Sequence, residues 1–141
     1  MPTVMEILTD DHRVIERLFD QYAETRTSEI ALRLGDALVL HALVEEALLY
    51  PFVRAMFIAG DRLSDEAEDD HEKVKEFVAE AEDTHGAALD ELVAELRIDV
   101  EDHIRWEEDD LFPLLAAEID ADTLCRLAER VMEFKRSQPV A

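Results

Sequence analysis

Residues 103–113 read His-Ile-Arg-Trp-Glu-Glu-Asp-Asp-Leu-Phe-Pro, and this stretch decides the fold because the chain contains it twice. The earlier copy, residues 41–51, reads His-Ala-Leu-Val-Glu-Glu-Ala-Leu-Leu-Tyr-Pro. His, two Glu, Leu and Pro recur in register, and an aromatic residue precedes each proline. A repeat of this kind predicts that one structural unit is duplicated within the chain.

A second matching element lies upstream of each copy. Asp-Asp-His occupies residues 10–12 and again residues 69–71. Each half of the chain therefore carries a leading histidine and, further along, His-x-x-x-Glu. The sequence predicts a duplicated helical hairpin in which the recurring polar residues are His12, His41, Glu45, His71, His103 and Glu107.

The apolar residues recur at intervals of three and four, and only three Gly and four Pro interrupt them. This periodicity predicts an all-α fold. Pro51 should kink or end the second helix, Ser64 or Asp65 should cap the third, and His85 with Gly86 should end it. The expected helices cover about residues 3–24, 30–51, 64–85 and 89–114, with a short fifth helix over about 121–136.

Two residues of an antiparallel hairpin lie side by side when the turn falls midway between them. The midpoint of His12 and His41 lies in the polar break at residues 25–28, and that of His71 and His103 lies beside Gly86. We therefore predict an antiparallel up-down four-helix bundle over about residues 4–118, within a single domain of residues 1–141. The midpoint of His41 and His71 does not coincide with the turn expected near residue 62. Our explanation is that Pro51 stops the second helix, so that residues 52–61 cross the end of the bundle.

A histidine and a glutamate four residues apart on a helix differ by about 40° in azimuth and about 6 Å along the axis, so both can reach one ion or a pair of ions. Four imidazoles and two carboxylates at one level of an apolar core would be costly if left uncompensated. Pairing of Glu45 and Glu107 with protonated histidines is one solution. A two-metal site satisfies every group at once, and we expect that arrangement.

Other polar and aromatic residues near the repeats fit the site less well. His85 lies about 21 Å along the helix from His71 and should have a helix-end or surface role. Glu46 and Glu108 are rotated by about 100° from their neighbours, so they should support the ligands from outside or face solvent. Lys75, one turn after His71, faces the same side and could reach towards the site, but we expect it to be an exposed lysine. Core or rim positions, rather than redox roles, are expected for Tyr22, Tyr50 and Trp106.

Composition restricts the partners. Lys plus Arg number 14 against 36 for Asp plus Glu, a formal net charge of −22, which would repel nucleic acid phosphates and anionic membrane surfaces. We expect neither as a partner. A single cysteine, Cys125, and a start without a signal-like run lead us to expect a cytoplasmic location.

The duplicated His-x-x-x-Glu motif, with its leading histidine in each half, resembles the hemerythrin-like HHE cation-binding family over about residues 4–115. The resemblance implies two non-haem irons joined by an oxo or hydroxo bridge and by two carboxylates. Imidazole and carboxylate ligands also suit manganese or zinc. Carried over position by position, the family's metal ligands fall on His12, His41, Glu45, His71, His103 and Glu107.

Two departures from the oxygen-carrying hemerythrins bear on function. Those proteins have His-x-x-x-His on the third helix, where this chain has Lys75, and they end the last motif with Asp rather than Glu107. The resemblance thus implies a nearly symmetric site with an open position at each metal. We expect a protein that binds or reacts with dioxygen, hydrogen peroxide or nitric oxide, with catalase- or peroxidase-like decomposition as its enzymatic form. The alternatives are an iron or oxygen sensor or iron store without turnover, and a metal-free helical interaction module.

Overall fold

The computed structural model describes residues 1–139, and helices are the only regular secondary structure of this part of the chain. The prediction of an all-α bundle with an additional C-terminal helix is confirmed. The five helices are α1 (Val4–Thr25), α2 (residues 28–56), α3 (Gly60–Glu82), α4 (residues 86–118) and α5 (Ala121–Ser137).

Both helices that carry a His-x-x-x-Glu motif contain one π-helical turn. In α2 the turn Glu45–Leu49 lies between the α-helical segments Ser28–Val44 and Tyr50–Met56. In α4 the turn Glu107–Leu111 lies between Gly86–Trp106 and Phe112–Glu118. Each π turn begins at the motif glutamate and ends two residues before the motif proline.

Of the two outcomes predicted for Pro51, a kink or an end of the second helix, the end is wrong, because α2 continues to Met56. Pro51 lies in the first turn of the α-helical segment that follows the π turn. A proline is tolerated there because its missing N–H has no obligatory partner in a first turn. The same holds for Pro113 in α4.

The third helix starts earlier than predicted, at Gly60 rather than at Ser64 or Asp65. Gly60 allows the close approach of α2 and α3, since a Cβ there would lie 2.3 Å from the Val53 carbonyl oxygen. The Ser64 hydroxyl donates instead to the carbonyl oxygen of Tyr50 at 3.3 Å. The turn therefore spans only residues 57–59, close to the midpoint of the second and third motif histidines, and no crossing segment is needed.

The third helix also ends earlier than predicted, at Glu82, and Gly86 with a φ of +65° opens α4. The predicted start of α1 and of α5 is confirmed by their caps. The Thr3 hydroxyl accepts the N–H of Glu6, and the Asp120 carboxylate accepts the N–H of Thr123 at 2.7 Å. These side-chain acceptors satisfy backbone donors that a helix start leaves free.

The apolar core forms two clusters along the bundle, with the recurring polar residues between them. One cluster includes Leu8, Leu49 and Leu115 together with the buried face of α5. The other includes Phe19, Leu34 and Leu96 at the opposite end. No helix within residues 1–139 has both the length and the apolar composition required to cross a membrane.

Candidate metal centre

The structure brings the six recurring residues together in the centre of the bundle. His12 and His71 come from α1 and α3, while α2 and α4 each contribute a histidine and a glutamate. The Glu45 and Glu107 side chains are fully buried, and none of the four histidines is more than 8% exposed. That these residues bind metal remains a prediction, which the following geometry supports.

The donor atoms fall into two groups that share Glu45. The first group, called position 1, consists of His12, His41, Glu45 and Glu107, whose donor atoms lie within 4.8 Å of one another. The second group, called position 2, consists of Glu45, His71 and His103, with the same separation limit.

Distances within each position match those between neighbouring ligands of one ion. In position 1, His12 Nε2 lies 3.0 Å from Glu107 Oε1. In position 2, His71 Nε2 lies 3.2 Å from His103 Nε2 and 3.1 Å from Glu45 Oε1. Donors about 2.1 Å from an octahedral ion are themselves about 3 Å apart, so the spacing leaves room for an ion at each position.

Tyr50 is the site residue that the sequence did not predict. Its hydroxyl lies 3.2 Å from four donor atoms, namely Glu45 Oε1, His71 Nε2, His103 Nε2 and Glu107 Oε2. The side chain is fully buried. The expectation that Tyr50 is a core or rim residue missed this hydroxyl, which lies among the donors of position 2.

The π turn explains why helical periodicity missed Tyr50. An α-helix turns by about 100° per residue, so a residue five after Glu45 would face well away from it. The π turn adds one residue, and the backbone N–H of Tyr50 donates to the carbonyl oxygen of Glu45. Tyr50 therefore takes the direction that the fourth residue after the glutamate would have in a regular α-helix.

Phe112 is the equivalent of Tyr50 in the second repeat, and it has no hydroxyl to offer. Its ring stacks on the imidazole of His12, with ring centroids 6.0 Å apart. The centre is therefore asymmetric, with an oxygen donor at position 2 and an apolar ring beside position 1. The expected near-symmetry of the site needs this correction.

Each of the four histidines has a carboxylate near its Nδ1 atom. The pairs follow the repeat. In each repeat, the aspartate that precedes the first histidine lies beside the second histidine of the same repeat. The second glutamate of each repeat lies beside the first histidine of the other repeat. Carboxylates in this place fix the orientation of a ligating imidazole. The Nδ1 to oxygen distances are 2.6 Å for His12 and Glu108, 3.3 Å for His41 and Asp11, 3.5 Å for His71 and Glu46, and 3.1 Å for His103 and Asp70.

Cations hold three of these carboxylates from outside. Arg13 contacts Glu108, and Lys135 of α5 contacts Asp11. Lys75 donates to both Glu46 oxygens at 3.0 and 3.1 Å. Lys75 is thus a partner of Glu46. Glu46 and Glu108 both lie outside the ligand positions, beside a histidine, as the sequence predicted.

Opposite charges compensate one another inside the centre. Burial alone would lower the pKa of His41, but the Glu45 charge and the hydrogen bond to Asp11 raise it well above its ordinary value. Against the effect of burial, Glu107 likewise raises the pKa of His103. Burial would raise the pKa of Glu45, yet His41 holds it well below its ordinary value. In the metal-free protein the centre is therefore held together by imidazolium–carboxylate pairs.

The Tyr50 hydroxyl remains protonated in that state. Burial, together with the charges of Glu107 and Glu45, raises the pKa of Tyr50 well above its ordinary value. One hydroxyl proton can serve only one of the surrounding acceptors. A bound cation would remove this restriction, because the phenol oxygen could then act as a donor to the metal.

Three donor atoms show that the pairing is incomplete without a metal. Within the described part of the chain, His41 Nε2, Glu45 Oε2 and His71 Nδ1 are buried without a hydrogen-bond partner. An unsatisfied buried polar atom costs about 1–3 kcal/mol. His41 Nε2 lies among the donors of position 1, 3.3 Å from Glu45 Oε1, so the residues present fit a metal ion there.

A small cavity adjoins the centre. It measures about 20 Å³, and a cavity needs about 10–15 Å³ to hold one water molecule. The cavity therefore has room for a molecule of about two non-hydrogen atoms beside the imidazoles. It is lined by His12, Ile15, Leu38, His41, Ala42, His71, Val74, Val100, His103 and Ile104.

Three other residues named in the sequence analysis are not among the donors of the centre. His85 lines a separate cavity at the far end of the bundle, as its helical distance predicted. Tyr22 donates to Asp90 at 2.7 Å and does not reach the centre. Trp106 is half-buried, with its ring 5.7 Å from that of His103.

Comparison with known proteins adds one finding. The family model described as hemerythrin HHE cation binding domain matches residues 3–115, which include all six recurring residues. No curated protein and no solved structure matches the chain significantly.

Proposed function

We propose, from the fact that this chain belongs to the hemerythrin HHE cation-binding family, that it holds two metal ions in its core and reacts through them with a small oxidant. His12, His41, Glu45 and Glu107 would hold the ion at position 1. The ion at position 2 would be held by His71, His103, the same two glutamates and the oxygen of Tyr50. The observation that carries this proposal is the set of buried donor atoms without partners, His41 Nε2, Glu45 Oε2 and His71 Nδ1.

Iron is the metal that the family resemblance implies, and the ligands would also accept manganese or zinc. Iron, when bound, would supply electrons and a place for a small ligand. The chain itself limits which ligand can enter, because aliphatic side chains and imidazole rings wall the cavity of about 20 Å³. This size suits dioxygen, hydrogen peroxide or nitric oxide.

Tyr50 brings a phenolic proton into this site, because its hydroxyl lies 3.2 Å from Glu45 Oε1 and Glu107 Oε2. On binding the ion at position 2 the phenol would give up this proton, which would then be available to a small oxidant. Decomposition of peroxide requires proton transfer as well as electron transfer. We therefore favour peroxide as a substrate over reversible carriage of dioxygen alone.

The test is the metal content and peroxide turnover of protein purified from iron-supplied cells. We expect about two metals per chain, and peroxide consumption that depends on them. His71→Gln should reduce the content to about one metal, while the matched control His85→Gln should retain both. One metal or fewer in the intact protein would contradict the two-metal proposal. Two metals without peroxide turnover would assign the protein to iron or oxygen sensing or to iron storage.

A further inference from the structure

We infer that the fifth helix is part of metal position 1, because Lys135 of α5 positions His41 through Asp11. This inference rests on the proposed function, since it assumes that His41 binds a metal. Lys135 is a positioning residue in this account and does not itself contact the metal.

A continuous chain of polar contacts links α5 to the centre. Lys135 Nζ donates to both carboxylate oxygens of Asp11 at 2.6 Å. Asp11 Oδ2 in turn lies 3.3 Å from Nδ1 of His41. The bidentate contact fixes the carboxylate, and the carboxylate fixes the plane of the imidazole whose opposite nitrogen points into position 1.

This ion pair is more than an exposed surface contact. The Lys135 and Asp11 side chains are only 24% and 23% exposed. Both Asp11 oxygens are engaged by the one ammonium group, so the loss of Lys135 would leave the partly buried carboxylate without its cation.

The duplication provides an internal comparison. Asp70 makes the equivalent contact in the second half, at 3.1 Å from Nδ1 of His103. Its side chain is 50% exposed, and among residues 1–139 no lysine or arginine forms an ion pair with it. The additional cation thus distinguishes position 1 from position 2.

The cation comes from outside the matched family domain, which ends at residue 115. Leu127, Ala128 and Val131 dock α5 against the core, and Lys135 follows Val131 by four residues on the same face. Docking of the apolar face therefore brings the ammonium to Asp11. The chain beyond the family domain adds a contact to one of the two metal positions.

The surroundings of the ion pair make Lys135 important for keeping this arrangement. Asp11, His41 and Lys135 line a partly open cavity of about 180 Å³, large enough for several water molecules. Without the ammonium, water in this cavity could compete for the Asp11 oxygens. His41 would then lose the partner that fixes its orientation.

The test compares Lys135→Met with Arg136→Met, a matched control that removes the same charge from an exposed neighbour on α5. Metal-free protein is titrated with Co²⁺, and the two binding steps are resolved by absorption. We expect Lys135→Met to weaken one step by roughly tenfold and to leave the other unchanged. Arg136→Met should change neither, and Lys135→Arg should restore most of the loss.

A second readout works without metal. In ¹⁵N-labelled metal-free protein, Lys135→Met should shift the imidazole signals of His41 and leave those of His103 in place. Asp11→Asn should weaken the same Co²⁺ step, and adding Lys135→Met to it should have little further effect, since both act through one path.

The outcomes separate the inference from the proposed function. Unchanged binding steps and unchanged His41 signals in Lys135→Met would overturn the inference. Equal weakening of both steps would also overturn it, because a general loss of stability would act on both positions. A wild-type protein that binds no Co²⁺, Fe²⁺ or Zn²⁺ would refute the proposed function, and the metal-free His41 signals would still report on the link to Lys135.

Discussion

Tyr50 and Phe112 occupy the same place in the two repeats, but only Tyr50 brings an oxygen into the centre. The Tyr50 hydroxyl lies 3.2 Å from donors on three helices. Phe112 stacks on His12. The two-fold repeat has thus produced two different groups of donor atoms, which differ by one oxygen atom.

Tyr50→Phe should weaken the second metal-binding step and alter the visible spectrum of the iron form. The reason is that the change removes a proposed oxygen ligand from position 2 and leaves the ring in place. Stepwise metal titration and absorption spectra check this. We expect a loss of roughly tenfold or more in one step, which corresponds to about 1.4 kcal/mol.

Tyr22→Phe is the matched control, since Tyr22 is also buried but bonds to Asp90 at the end of the bundle. It should leave both metal-binding steps and the spectrum unchanged. If Tyr50→Phe also leaves them unchanged, Tyr50 is a hydrogen-bonding residue and not a ligand.

Removal of metal should lower the melting temperature strongly. A metal that binds only the folded chain and is present at 1,000 times its dissociation constant stabilises the fold by about 4 kcal/mol. For a chain of this size we expect a difference of roughly 10 °C. Calorimetry with and without chelator measures it, and Glu45→Gln combined with Glu107→Gln should abolish most of the difference. Equal melting temperatures would mean that the six residues satisfy one another.

Gly60→Ala should destabilise the protein by about 3 kcal/mol or more. A Cβ at this residue would lie 2.3 Å from the Val53 carbonyl oxygen and 2.7 Å from Arg54 Cα, and backbone atoms cannot move aside without separating α2 from α3. Gly86→Ala is the control, because its Cβ would meet open space and only the positive φ costs about 1 kcal/mol. Denaturant unfolding of both variants gives the comparison, and equal losses would contradict the steric explanation.

The hydrogen bond from Tyr22 to Asp90 should make the free energy of unfolding depend on pH in the alkaline range. Burial and Asp90 raise the pKa of Tyr22 from its ordinary value of 10.0 to about 12. Because the folded-state pKa is the higher one, the stabilisation is complete below pH 10 and is lost as the pH rises towards 12. Between pH 10 and 12 the free energy of unfolding of the wild type should fall by about 2 kcal/mol more than that of Tyr22→Phe, as measured by denaturant unfolding. Parallel losses in the two proteins would show that lysine titration alone is responsible.

The fold and the recurring residues could be predicted because each depends on a pattern that the chain states twice. Apolar spacing predicts the helices, and the register of the two copies predicts that the six polar side chains meet at one level. The midpoints between the paired histidines also predict correctly where the turns lie. The prediction of a helix end at Pro51 is wrong because a proline is tolerated in the first turn that follows a π turn. The midpoint of His41 and His71, by contrast, lies close to the observed turn.

The remaining features depend on contacts that no local pattern reports. Gly60 begins a helix because a neighbouring carbonyl leaves no space for a side chain, and that carbonyl belongs to Val53. Lys135 reaches Asp11 only through the docking of α5. Tyr50 needs a π turn to face the donors, and no residue type in the motif signals that turn.

The paired π turns also bear on the history of the chain. Both start at the motif glutamate, both span five residues, and both precede an aromatic residue and a proline. One inserted residue in a single ancestral hairpin, copied when that hairpin was duplicated, accounts for both by a single event. The tyrosine and phenylalanine that follow the turns then record divergence after the copying, when two identical halves began to specialise.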